Sequence, residues 1–149
     1  MDNPYAPPRA EVERAQPPGP VAHYTPGQVG FATFLGTVLA GGLLLSANDR
    51  ASGNPGRARQ TLLLGIGFTV ATFVVAFFLP DNFPNIVIPL ATTFAMRSWA
   101  QQRRAEWVRQ HGEPEKQSAW RALGIGVLCL VLMVVLIFGS AALSDSLAL

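Results

Sequence analysis

Charge is scarce in this chain. Asp, Glu, Lys and Arg make up 13% of it, against roughly 25% in soluble domains. Three stretches have none at all: Val29–Ala47 and Thr61–Leu79, 19 residues each, and Ala122–Leu143, 22 residues. Outside Arg97 the apolar segments contain no Asp, Glu, Lys, Arg or His. Proton and ion relays through a membrane run on intramembrane ionisable groups, so this absence counts against a proton-coupled transporter. Cysteine is represented by Cys129 alone, inside the last apolar run. No intrachain disulfide can form, and the residue reads as a small apolar side chain. The two histidines, His23 and His111, lack a neighbouring set of ligands, so neither a metal centre nor any other cofactor is expected.

Catalytic patterns are missing too. Ser140 follows Gly139, but there is no GxSxG elbow and no histidine in the apolar runs. The loop Asn48–Gln60, NDRASGNPGRARQ, is rich in glycine and arginine. It lacks the GxxxxGK[ST] pattern and a preceding strand, so it is not a phosphate loop. Positive charge beside an apolar run accounts for its Arg50, Arg57 and Arg59. Glu106, Glu113 and Glu115 lie in a charged segment, where Glu106 is expected to pair with Arg109 three residues on. The chain is therefore not expected to be an enzyme. Its net charge of +2 and pI near 9.2 are those of many nucleic-acid binders. These charges flank apolar runs instead of covering a soluble face, and no nucleic-acid partner is expected.

What is present is length of apolar chain. At about 1.5 Å of rise per residue, 22 helical residues cross a hydrocarbon core of about 30 Å, and in lipid a helix satisfies every backbone group within one segment. The expected fold is all-α: a polytopic helical membrane protein with four transmembrane helices at about 29–47, 61–79, 83–100 and 122–143. The third is ambiguous. FPNIVIPLATTFAM, Phe83–Met96, is short, Pro89 should kink it, and a full span requires Arg97 to snorkel. The alternative is three spans plus a re-entrant segment at this position. With four spans and the N-terminus outside, nine Lys and Arg face inward and two outward; with three spans the count is eight and three. The positive-inside rule hardly separates these, and the apolarity of Phe83–Ala100 favours four.

Ahead of this membrane domain, 28–149, the stretch 1–27 holds seven of the twelve prolines and reads as a disordered Pro-rich tail. It has no apolar h-region and is not a signal peptide. Its NPYAPP (Asn3–Pro8) is either a solvated leader or a polyproline ligand anchored by Tyr5. All three tryptophans fall in the basic block Arg97–Arg121. Arg97, Trp99, Arg103, Arg104, Trp107, Arg109, Trp120 and Arg121 form the expected membrane-surface set, whose partner is the lipid bilayer. Within the block, Met96–His111 reads as a helix closed by Gly112, and Ser118 as the cap of the last helix.

Small residues mark helix packing. Ala32, Gly36 and Ala40 are four apart, on one face of a straight helix, and permit close approach. Leu64-Gly65-Ile66-Gly67 recurs as Leu123-Gly124-Ile125-Gly126, each at the start of an apolar run, which adds Gly65, Gly67, Gly124 and Gly126 to the packing set.

FATFLGTVLAGGLLLSANDRASG (Phe31–Gly53), TLLLGIG (Thr61–Gly67), and His111-Gly112 followed by SAWRALGIG (Ser118–Gly126) resemble small uncharacterised bacterial inner-membrane proteins. NPYAPP resembles a leader found on several of them. The resemblance implies a bacterial source and a multi-pass protein of the cytoplasmic (inner) membrane; it brings no activity. Two function classes remain. The first is a structural or interaction module that binds a membrane-protein partner or itself as a homo-oligomer. The second is an oligomeric small-solute channel or transporter. A channel needs a polar lining, for which Thr33, Thr37, Thr69, Thr72, Thr92 and Thr93 are the candidates, and their convergence on one axis would favour it.

Overall fold

The computed structural model describes residues 21–80, 82, 84 and 86–147; NPYAPP and the rest of 1–20 lie outside them. The elements are β1 (Ala22–His23), α1 (Pro26–Ala51), α2 (Pro55–Phe78), α3 (Val87–His111), β2 (Glu115–Lys116) and α4 (Ala119–Leu147). Local sequence sets their ends. Thr25 and Gln28 form a reciprocal capping box at the start of α1. Pro26 and Pro55 stand at first helical positions, where a missing N–H costs nothing. Gly112, at φ 84°, closes α3 as the sequence suggests, and α4 begins directly after Ser118. Pro89 does not kink α3, because it falls in the first turn of that helix. Residues 21–27, read as part of the tail, are ordered: two form β1, Thr25 caps α1, and His23 and Tyr24 are buried.

Among the described residues, three helical segments are long and apolar enough to cross a membrane: Pro26–Ala51, Pro55–Ala76 and Ala119–Gly139. The first of these is not a straight rod. A straight helix would hold Tyr24 and Asn48 about 36 Å apart. Instead the Tyr24 N–H donates to Asn48 Oδ1 at 2.8 Å, and Asn48 Nδ2 donates to the Tyr24 carbonyl at 3.0 Å. The helix breaks at Gly36 (φ −114°, ψ 22°) and Thr37 (φ 67°, ψ −178°). Arms 26–35 and 38–51 therefore run back antiparallel, about 15 and 21 Å long. Their contact depends on Gly41, where any Cβ would collide with the Thr33 hydroxyl. Length and composition read 29–47 as one span; the backbone doubles back within it.

This folded element is the core. Two thirds of its apolar window, 67%, is buried, against 22% for α2 and 17% for α4. Helices α2, α3 and α4 each pack on α1 and make little contact with one another. The outward faces of α2 and α4 expose large apolar side chains such as Phe68, Val75, Leu128 and Phe138, which in water would be a large loss and in hydrocarbon is none.

Candidate functional site

Two regions of the molecule gather polar groups. The first is the end where α1 begins and ends. Here β1 pairs in parallel with β2, Ala22 opposite Glu115 and His23 opposite Lys116, and Gln28 Nε2 donates to the Gln117 carbonyl at 2.9 Å. The base of the folded α1 is thereby tied to the α3–α4 connection. Asp49, assigned by sequence to a loop, is in α1 and buried. Its carboxylate accepts from Arg103 Nη1 at 2.8 and 2.9 Å and from the Thr61 hydroxyl at 2.6 Å. The Arg103 guanidinium also lies 5.0 Å over the Trp99 ring, a cation–π geometry. One buried carboxylate thus joins α1, α2 and α3. A buried charge persists only when paired and hydrogen-bonded, and Asp49 is both.

Beside this cluster, Trp107 stacks on His111 at 3.9 Å and packs against His23 at 5.0 Å. Ser52 donates to the Asn48 carbonyl at 2.9 Å and lies 3.0 Å from His23 Nε2. With the serine proton committed to the carbonyl, the imidazole Nε2–H is the donor and the hydroxyl is not an activated nucleophile. Desolvation, and then the charge of Arg104, hold the His23 pKa below its usual value, only partly offset by Asp49, so the ring is neutral at pH 7. A cavity of about 170 Å³ opens between Asp49, Arg57, Arg103 and Trp107, and one of about 460 Å³ adjoins it beside Val21, Ser52 and Pro114.

The second region lies at the turn of α1. A cavity of about 190 Å³ is lined by Thr33, Thr37, Thr69, Thr72 and Thr92, with Phe34, Phe73 and Pro89. Five of the six threonines singled out by sequence meet there. Thr33, Thr69, Thr72 and Thr92 donate to carbonyls of their own helices four residues back, which leaves each oxygen with acceptor capacity. Thr37 accepts from the Leu39 N–H at 3.4 Å and starts the second arm. An apolar cavity of about 470 Å³ continues along α2 and α3 between Leu64, Phe68, Ala95, Met96 and Trp99, sharing Val38 and Thr92 with the threonine cavity.

The expected sites fare unevenly. Ala32, Gly36 and Ala40 do not form one helical face, because α1 turns between them. Ala32 meets Gly126 of α4; Gly36 faces the Gly126 carbonyl and Cys129; Ala40 lies beside Gly36 across the turn. Of the two LGIG motifs, only Gly65 (against Gly42) and Gly126 are in close contact, while Gly67 and Gly124 face open space. The repeated letters therefore do different work in α2 and α4. In the surface set, Arg103 and Trp99 belong to the Asp49 cluster, Trp107 to the histidines, and Arg104 pairs with Glu113 at 2.6 Å. Arg97 packs its stem over Gly30, while Arg109, Trp120 and Arg121 are exposed. Glu106 pairs with Arg57 of α2 at 3.1 Å, not with Arg109. Sequence reasoning missed Asp49, His23 and the turn at Gly36–Thr37. The one signal for the turn was the glycine density of 36–42. A comparison with protein-family models, curated proteins and solved structures returns no match.

Proposed function

We propose that this is an integral membrane protein in which α2, α3 and α4 cross the bilayer and α1 is a re-entrant hairpin, and that the turn of the hairpin is a binding site for a small neutral solute. On this reading the chain belongs to the channel-or-transporter class rather than to the enzymes. Four straight spans give way to three crossings and one half-depth element. The carrying observation is the break at Gly36–Thr37 in a buried helix beside a cavity lined by five threonines. Irregular backbone at membrane depth is tolerated where it is buried in protein, as Gly36 is, and broken helices are where membrane proteins hold solutes.

Charge supports the sidedness. Arg50, Arg57, Arg59, Arg97, Arg103, Arg104, Arg109, Lys116 and Arg121 all belong to one end of the bundle or the helical turns entering it. On this reading that end is cytoplasmic, with β1 inside and the end of α4 outside. The sequence resemblance implies the bacterial inner membrane as its place. Two measurements test the proposal. In a Cys129→Ser background, Thr25→Cys and Ser118→Cys should react with an impermeant thiol reagent only from the cytoplasmic side, and Asn82→Cys only from the other. Proteoliposomes should shrink and re-swell faster than protein-free vesicles in at least one of a panel of small neutral solutes, and Thr69→Phe, which fills the cavity, should remove the difference. External labelling of Thr25→Cys would overturn the topology; equal kinetics across the panel would overturn the solute site.

The interaction-module reading retains one support. The joined β1–β2 end brings the entry of the Pro-rich stretch, the α3–α4 connection and the basic end of α3 to one place. A partner co-purifying in mild detergent and released by Trp107→Ala would favour it.

A further inference from the structure

We propose that the open cleft beside Trp107 and His111 is the docking site of the chain's own Pro17-Pro18-Gly19-Pro20, the residues that lead into β1. The inference concerns the basic end of the molecule and does not depend on the solute site. The cleft has a volume of about 460 Å³, within the range of about 300–1,000 Å³ of ligand pockets. Trp107, His111 and Pro114 line it together with Ala51 and Ser52 at the end of α1. The rings of Trp107 and His111 stack at 3.9 Å with 12° between their planes, so the cleft holds a paired aromatic platform. Grooves lined by aromatic rings take up Pro-rich segments, whose preformed extended helix loses little entropy on docking.

The chain itself brings such a segment to the cleft. Val21, the first described residue, is one of the lining residues. Its carbonyl accepts from Glu115 N–H at 3.1 Å, and β1 follows in parallel register with β2, so Val21 is held at the wall of the cleft. Directly before it stand Pro17, Pro18 and Pro20. They have no N–H with which to extend the ladder, and they favour a polyproline helix, in which four residues span about 12 Å. No loop has to close for residues 17–20 to meet the platform, whereas Tyr5, 16 residues before Val21, arrives there only at the entropy of a closed loop. The polar chemistry matches as well. A proline-rich backbone offers carbonyl acceptors and few N–H groups, and the Trp107 indole N–H is a donor only. Ala51, Gly53 and His111 are exposed, so the docked segment lies outside the packed helices. It shields the aromatic pair and leaves the core, and the melting midpoint, as they are.

Ala51 lines the cleft and reports on its cover. The experiment measures the maleimide labelling rate of Ala51→Cys in the full-length Cys129→Ser chain, in native membrane fragments and in detergent. Pro17→Ser, Pro18→Ser and Pro20→Ser together keep the length of the segment and remove its rings. They should raise the rate about fivefold, the protection of a modest local contact. The rate at Ser118→Cys, which is not among the lining residues, should stay the same. His111→Ala, which takes away half of the aromatic platform, should raise the rate at Ala51→Cys as well. Equal rates at Ala51→Cys with and without the three prolines overturn the docking. Protection that persists in the serine variant in native membranes and vanishes in detergent overturns it too, and assigns the cleft to a membrane partner.

Discussion

Thr37 carries the least favourable backbone in the described structure. Its φ of 67° and ψ of −178° lie where glycine alone is comfortable, at a cost of about 1–3 kcal/mol for other residues. Thr37→Gly should therefore raise the unfolding midpoint in detergent, despite losing the weak cap to Leu39; a lower midpoint would mean that the hydroxyl holds the turn. The glycines give a paired test. Gly65→Ala and Gly126→Ala place a Cβ about 3.1 and 3.3 Å from backbone of α1 and should cost about 1–3 kcal/mol by overpacking. Gly67→Ala and Gly124→Ala meet open space and should gain up to about 1 kcal/mol from helix propensity. Thermal melts of the four variants decide it, and indistinguishable melts would refute the packing scheme. His23 sets a pH dependence. The unfolded chain takes up a proton below the usual 6.5, whereas the folded ring, with its lowered pKa, resists. Stability is full above that value and declines as pH falls below it. Amide exchange at Ala22–Tyr24 and Glu115–Gln117 should accelerate between about pH 7 and 5 beyond the intrinsic chemical trend, and His23→Gln, which still donates to Ser52, should flatten the response.

At the scale of elements, α1 separates what the sequence discloses from what it hides. Hydropathy located the apolar lengths of α1, α2 and α4 but not the bounds of α3, while Gly112 and Ser118 marked the end of α3 and the start of α4, since both signals are local. The fold-back was not legible. The run 29–47 has neither proline nor charge to announce a break, and apolar content is blind to direction. What selects the hairpin is contact at a distance: Thr33 against Gly41, Tyr24 against Asn48, Gly36 against Gly126. The Asp49 cluster was hidden for the same reason, its three polar members being 12 and 54 residues apart in sequence. Spin labels at Gly27→Cys and Ala51→Cys measure the fold-back directly. A straight helix holds them about 36 Å apart, whereas the hairpin brings them to the same end; a long distance in lipid would exclude the doubled α1.

For the whole molecule, the tail is the simplest test of domain organisation. The stretch 1–20 holds six of the twelve prolines and no long apolar run, so nothing in it can build a core. Deleting residues 1–20 should therefore leave expression, monodispersity and the melting midpoint unchanged, and loss of the folded peak would assign the stretch a structural role.

The central position of α1 also bears on how the protein is made. This element is made before the other helices, so the surfaces that cover it are synthesised later, with Gly126 and Cys129 of α4 last of these. The strand β1 waits still for its partner, 93 residues downstream of Ala22 at Glu115. On the proposed topology the hairpin is, during synthesis, an incomplete wedge, too short to anchor itself across the bilayer and too apolar to remain in water. On that topology α2 serves as the first anchor, with α1 held at the translocon or at the interface until α3 and α4 arrive. Chains arrested after α2 should consequently be cleaved readily by cytoplasmic-side protease near residues 48–54, and full-length chains should resist at the same bonds.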